Sequence, residues 1–278
     1  AISQSSTDEK MVNLAKALYN YGYSAKVYNH AVNGVGEHTT VNGICTLCNE
    51  NVGYDVDETT ATYSVYEAEA LQNVLDEASS RDGTVKLMRD LTGDADSYYS
   101  LLISSGTVIL DLNGYKLTSS DEVAILVAEG ATLTVKDSGV GVIPGAIDAS
   151  SEGIQTAGIK NEGALFFEDG AILANTFGIL NDGTLTISGG DVGSKYHVAI
   201  LGGEVILSGT PLLFNGSENT SGEYLGCDIA CCTVYVEAEL DEVIYTYYDS
   251  EVMNEHQNFA EFTGYSLSSD RTYFDKVN

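Results

Sequence analysis

Tryptophan is absent from this chain, proline occurs twice, and 12 Lys and Arg face 41 Asp and Glu across 278 residues. A formal charge of -29 repels nucleic-acid backbones and anionic membrane surfaces, so neither is an expected partner. No apolar run approaches the ~18 residues that a membrane helix needs, and membrane insertion is not expected. Five cysteines cannot all pair, which argues against a scaffold stapled by disulfides. Arginine is the scarcest charged residue: Arg81, Arg89 and Arg271 are the only three, and none lies between residues 100 and 240.

What is present points to a packed β protein. Hydrophobic residues make up 44% of the chain, enough for a core and too many for a disordered polymer. The 29 Gly suit tight turns between short strands, and a helical bundle would tolerate them poorly. An acidic, lysine-poor chain with 18 Tyr fits a bacterial protein that is secreted or held at the cell surface, which is the expected localisation.

Residues 1–35 read as a lead-in helix. Ser6 and Glu9 have capping-box spacing, and Met11, Leu14, Leu18, Tyr21, Ala25 and Tyr28 recur on one face. Residues 36–58 are a short, polar segment punctuated by Gly and holding a Cys-x-x-Cys. A second helix is expected over 64–79: Ser64 and Glu67 repeat the capping-box spacing, and Leu71, Val74, Leu75 and Ala78 share a face. It runs into SSRDG, a turn signal.

The remainder is repetitive. A short strand with two apolar positions returns as Val85/Leu87, Val108/Leu110, Leu133/Val135, Leu165/Phe167, Leu185/Ile187, Val205/Leu207 and Val234/Val236. The intervals are 23, 25, 32, 20, 20 and 29 residues. Ala-Gly-Ile at 157–159, Phe-Gly-Ile at 177–179 and Val-Ala-Ile at 198–200 hold the same register. Gly163, Gly183 and Gly203 recur every 20 residues, as do Asn161 and Asn181. A period near 20 with three short strands per repeat fits a mainly β fold, a single-stranded parallel β-helix of about seven coils, some 34 Å long. Alternate positions such as Thr107, Thr132 and Thr184 face solvent, and Asn161 over Asn181 reads as a corner ladder of stacked amides. A leucine-rich repeat would need an LxxLxLxxN pattern that is missing, and an immunoglobulin-like sandwich would not hold a 20-residue register.

These residues carry a family resemblance. EAEALQNVLDEASSRDGTVKLMRDLT resembles the opening of pectin-lyase-like right-handed β-helices, in which a short amphipathic helix caps the open end of the coil. VILDLNGYKLTSS, ATLTVKDSGVG, GALFFEDGAI and GTLTISGGDV are similar to coils of secreted bacterial surface proteins with that fold. The resemblance covers roughly residues 60–240 and implies a fold without an activity. LAKALYNYGYSAKVYNH resembles helices that close an upstream domain in large surface proteins of Gram-positive gut bacteria, which implies a longer multidomain chain. The expected layout is a lead-in helix over 1–35 and the Cys-x-x-Cys segment over 36–58. A β-helix follows over 59–278, with its N-terminal capping helix at 64–79 and a C-terminal cap.

Candidate chemistry is sparse. Lyases of the family pair calcium-binding carboxylates with a basic residue, and its hydrolases cluster Asp with His and Arg-x-Lys; the resemblance brings neither set with it. Lys116, Lys136, Lys160 and Lys195 occupy the central coils without an evident carboxylate cluster. Asp137 and Asp169 project onto equivalent corners of neighbouring coils, about 5 Å apart in an ideal register. That gap suits a retaining glycosidase pair or one end of a calcium site, and equally two solvated corners. Asp111, Lys136 and Glu168 are expected as an outward ladder of alternating charge.

In GEHTTVNGICTLCNE, the residues His38, Cys45 and Cys48 match half of a zinc knuckle. The segment resembles small modules with Cys-x-His followed by Gly-x-Cys-x-x-Cys, but Gly36 stands where the first Cys would be, and His30 is the available substitute. Zinc, a Cys45–Cys48 disulfide and a degenerate module without metal are all open. Period 2 from Val234 and Val236 puts Cys232 inside and Cys231 outside, and His197 reads as a structural edge residue.

Without Trp, sugar stacking falls to tyrosines. Tyr245 and Tyr247 in IYTYYDS share a face and could line a shallow glycan groove, or cover the open edge of the last coil. Three functions are carried forward. The first is a noncatalytic surface module contacting glycans or host molecules. The second is a polysaccharide lyase or glycoside hydrolase with a divergent site, and the third is a structural spacer. The residues weigh against an enzyme without excluding one.

Overall fold

A computed structural model of the chain describes residues 40–46, 51–93, 98–150, 156–215, 227–230, 232–236, 244–245, 265–267 and 273–276. The lead-in helix expected over 1–35 lies outside them. Among the described residues the fold is mainly β with one helix, α1, at Ala68–Ser79. Three parallel sheets stack in the manner of a β-helix.

The chain visits the sheets in rotation. Thr84–Leu87, Thr107–Asp111, Thr132–Lys136, Ala164–Phe167, Thr184–Ile187, Glu204–Leu207 and Thr233–Val236 form the first sheet. Leu91–Gly93, Lys116–Ser119, Ala146–Ala149, Ala171–Ala174, Asp191–Ser194 and Leu212–Asn215 form the second. Tyr99–Ile103, Val123–Val127, Ala157–Asn161, Phe177–Asn181, Val198–Leu201 and Cys227–Ala230 form the third.

Each strand buries alternate side chains, and parallel pairing sets like on like. The first sheet stacks Val108, Leu133, Leu165, Leu185, Val205 and Val234. The second stacks Leu91, Leu117, Ile147, Ile172, Val192 and Leu213, and the third stacks Leu101, Ile125, Ile159, Ile179, Ile200 and Ile229. All of them are buried in one core. Burying such a side chain stabilises by about 1.5–3 kcal/mol, so a turn is held largely by its neighbours. The small residues of the third sheet have a steric cause. A Cβ on Gly158 would lie 2.4 Å from Ile172 Cγ2, and one on Gly178 would lie 2.8 Å from Val192 Cγ1.

The expected amide ladder is present. Asn161 Nδ2 donates to Asn181 Oδ1 at 2.7 Å and to Thr184 O at 2.9 Å, while Asn181 Nδ2 donates to Gly202 O and Glu204 O. Both side chains are fully buried. Cys232 is buried where alternation puts it, with Sγ 3.2 Å from Gly202 O, the carbonyl that Asn181 also serves; Cys231 lies outside the described residues.

Three expectations change. Ser64 is not a helix cap: Thr62–Val65 is a strand with Tyr63 and Val65 buried, α1 starts at Ala68, and its N-cap Glu67 makes no side-chain capping bond. The first repeat is offset by two residues, because Val85 pairs with Leu110 rather than Val108. Helix α1 packs against both of these strands and buries Leu71, Val74, Leu75 and Ala78. The ladder Asp111–Lys136–Glu168 does not begin outside: Asp111 is 4% exposed and lies 3.5 Å from Lys86 Nζ.

Near α1, the first sheet is extended by two strands and the third is met by a side chain. Tyr54–Asp57 pairs antiparallel with Thr62–Val65, which runs parallel to Thr84–Leu87, so residues 54–57 of the Cys-containing segment are joined to the first sheet. On the third sheet, Leu102 N donates to Gln72 Oε1 and Gln72 Nε2 donates to Leu102 O, both at 2.9 Å. One carboxamide thereby replaces a missing strand. At the other end, Ile244–Tyr245 pairs antiparallel with Tyr273–Lys276 and lies near Cys227–Ala230.

Replacing Asn181 by Ala leaves two carbonyls and the Asn161 amide without their partner, at about 1–3 kcal/mol for each unsatisfied group. Urea unfolding of Asn181→Ala is expected to show a loss of about 3 kcal/mol, against little change for the exposed neighbour Asp182→Ala. Equal effects would deny the ladder its role.

Candidate functional site

The corner carboxylates are held by backbone. Asp137 Oδ1 accepts from Gly114 N at 2.6 Å and Gly139 N at 3.0 Å, and its Oδ2 accepts from Gly145 N at 2.7 Å. The residue closes the base of a loop, residues 137–145, between Thr132–Lys136 and Ala146–Ala149. Val140, Val142 and Ile143 stand at the loop's tip, almost entirely exposed. This loop, with the longer connection after Ala149, accounts for the 32-residue interval in the repeat. Asp169 is exposed and its Oδ1 accepts from Gly170 N at 2.8 Å. Among the described residues, no three His, Cys, Asp or Glu side chains cluster so as to hold a metal ion.

Asp111 and Asp191 carry opposite electrostatics. Burial raises the Asp111 pKa, but hydrogen bonds from Ser138 N and Oγ, the Lys86 charge and Asn113 N outweigh it and hold the carboxyl below its ordinary value. Asp148 is lowered in the same way, against burial, by Ser150 and by Lys116, whose Nζ lies at 3.1 Å. Asp191 is raised by burial and by the neighbouring charge of Asp169. The carboxylate that electrostatics couples to Asp169 is thus Asp191, one strand along the second sheet from the Ala171 that follows this corner. A spacing argument confined to the first sheet could not find it.

The lysines of the central turns are dispersed. Lys116 reaches Asp148, Lys160 lies 2.7 Å from Glu162, and Lys195 Nζ donates to Ser150 O. Arg81 and Arg89 pair with Glu58 and Glu67 beside α1. His197 is exposed, its ring 6.0 Å from that of Phe177.

Of the zinc candidates, Cys45 lies on the hairpin Thr40–Val41/Ile44–Cys45 and is fully buried. The hairpin turns at Asn42 and Gly43, both with positive φ. His38 and Cys48 lie outside the described residues, as does Tyr247. Tyr245 is described as a strand residue paired with Tyr273.

Two open clefts flank α1, neither signalled by a motif. One, of about 460 Å³, lies among Asn51, Tyr54, Glu67, Glu69 and Asn73. The other, of about 580 Å³, lies between the C-terminal half of α1 and the strand Tyr99–Ile103 with the turn after it. On the first sheet, Phe166 and Tyr235 are more than a third exposed. They share one outward column through Thr186 and Ile206, three strand spacings or about 14 Å apart. No described helix is long and apolar enough to cross a membrane. No family model, curated protein or solved structure matches the chain.

The two shifted carboxyls respond to pH in opposite senses. Asp111 stabilises the fold above the ordinary carboxylate range, and that contribution is lost as pH falls through its lowered folded pKa. Ionised Asp191 destabilises the fold, and the penalty disappears as pH falls through its raised folded pKa. At pH 7, Asp111→Asn is expected to lower the melting temperature and Asp191→Asn to raise it. Both differences should shrink on acidification, that of Asp191→Asn first. Shifts of the same sign would refute the assignment.

Proposed function

We propose that this chain is a noncatalytic module of a secreted or cell-surface protein, a pectin-lyase-like right-handed β-helix that contacts glycans or host molecules. Helix α1 caps its first turn. Six three-strand turns and the opening strand of a seventh make up the coil, within a longer multidomain chain. The observation that carries the noncatalytic reading is the use of the central carboxylates. Asp111, Asp137 and Asp148 each accept backbone N–H bonds that close a corner. An acid–base pair needs two carboxyls free to exchange protons with a substrate. The glycan part rests on the first sheet, whose outward column offers Phe166 and Tyr235 to a sugar face.

A glycan array, run beside lyase and hydrolase assays on neutral and acidic polysaccharides, tests this reading. Binding without turnover is expected, weakened by Phe166→Ala or Tyr235→Ala, with Tyr245→Ala testing the C-terminal alternative. Turnover would return the chain to the divergent lyases and hydrolases, and the absence of any binding would leave a spacer.

The Cys-x-x-Cys segment is proposed as a zinc half-site of His38, Cys45 and Cys48. Metal analysis of the purified chain is expected to give about one equivalent of zinc, and a value well below that would end the proposal.

A further inference from the structure

The larger cleft beside α1 has an unusual lining for a chain of this charge. Five of its nine residues are serines, Ser79, Ser80, Ser100, Ser104 and Ser105, and the rest are Gln72, Asp76, Tyr99 and Leu102. Among the described residues, no Lys or Arg lines it, and Asp76 is its only carboxylate. Its volume of about 580 Å³ lies within the usual range for small-molecule sites.

Its walls are held in place. Ser100 Oγ lies 2.5 Å from Asp121 Oδ2 and 2.6 Å from Ser119 Oγ, and both partners are buried. Gln72 is fixed by its two bonds to Leu102 and by a third, from Nε2 to Asp76 Oδ1 at 2.9 Å. That third bond orients the Asp76 carboxylate, which is exposed. Ser104 and Ser105 are exposed as well. The half-buried Tyr99 and Leu102 supply an apolar surface between these groups.

We infer that this cleft is a binding site for a neutral saccharide, which rests on the glycan-contact reading above and adds a second location, apart from the Phe166 and Tyr235 column. A sugar ring presents a C–H face and a rim of hydroxyls. Tyr99 and Leu102 meet the first, and the serine hydroxyls and the Asp76 carboxylate meet the second. Uronic acids are disfavoured by charge: among the described residues the cleft has no cation to receive a carboxylate, and the chain as a whole is at -29. An added peptide strand is disfavoured, because Gln72 already occupies Leu102 on the open edge of the third sheet.

The test titrates the full chain by calorimetry with neutral β-1,4-glucose, α-mannose and β-galactose tetrasaccharides, and with a galacturonic acid tetrasaccharide. At least one neutral probe is expected to bind, and the acidic probe at least tenfold more weakly. Asp76→Ala and Tyr99→Ala should each weaken the neutral probe tenfold or more. Ser105→Arg, an exposed position, should block the cleft while circular dichroism and the unfolding midpoint stay unchanged. If a neutral probe binds and Ser105→Arg leaves it intact while Phe166→Ala or Tyr235→Ala abolishes it, the cleft is overturned and the glycan reading stands. If no saccharide binds, both fall. Tighter binding of the acidic probe, or binding only of an extended peptide, also overturns the proposal.

Discussion

No single turn of this chain can bury its own apolar side chains, so the fold depends on parallel turns meeting at one register. With a side-chain period of 2, a slip of one residue would turn Leu133, Leu165 and Leu185 out of the core they share. The register is enforced at the corners as well as along the strands. Asn161 and Asn181 bond to each other and to the backbone of the following turn, so a slipped turn would strand buried carbonyls as well as misplace its leucines. Hydrophobic columns supply most of the stabilisation, and the amides specify which residue faces which.

Stacking leaves the problem of ends, and near α1 it is solved piecewise. The two-residue offset of Thr84–Leu87 brings Gly83, which has no side chain, into register with Val108, and α1 packs against the Val108 strand. Gln72 then satisfies Leu102 on the third sheet. A helix is well suited to both tasks, since it presents an apolar face to the core without needing strand partners of its own. The same arrangement opens the cleft beside it, because a cylinder laid across the end of a sheet leaves gaps on either flank.

Much of the first sheet and of the amide ladder was legible in the sequence, because alternation recurs in every turn and the 20-residue recurrence from Leu165 to Val205 leaves corner residues in phase. The irregular turns were harder. Ser64 and Glu67 match a capping box, yet in Thr62–Val65 the alternation of buried Tyr63 and Val65 outweighs that spacing. Asp111 looked outward by alternation, but its strand ends there: Leu110, Asp111 and Leu112 are all buried in succession as the chain turns. The cleft could not be read at all, since Asp76, Tyr99 and Ser105 come from three segments whose meeting depends on how α1 lies.

The carboxylates at the bends of the chain have a physical cause of their own. Asp57, Asp111, Asp137 and Asp148 each accept from the backbone N–H two residues on, and Asn161 does the same with its amide oxygen. Such a bond closes a turn without a second strand, so a coil that bends at every corner selects Asp or Asn there. Parallel stacking brings the corner amides of Asn161 and Asn181 into line, whereas Asp111 faces Lys136 and Asp148 faces Leu173. Acids at the bends of the coil are therefore a consequence of its corners. A site has to be sought where a carboxylate has kept an oxygen clear of the backbone, and Asp76, whose Oδ1 is steadied by a side chain alone, meets that condition where Asp137 does not.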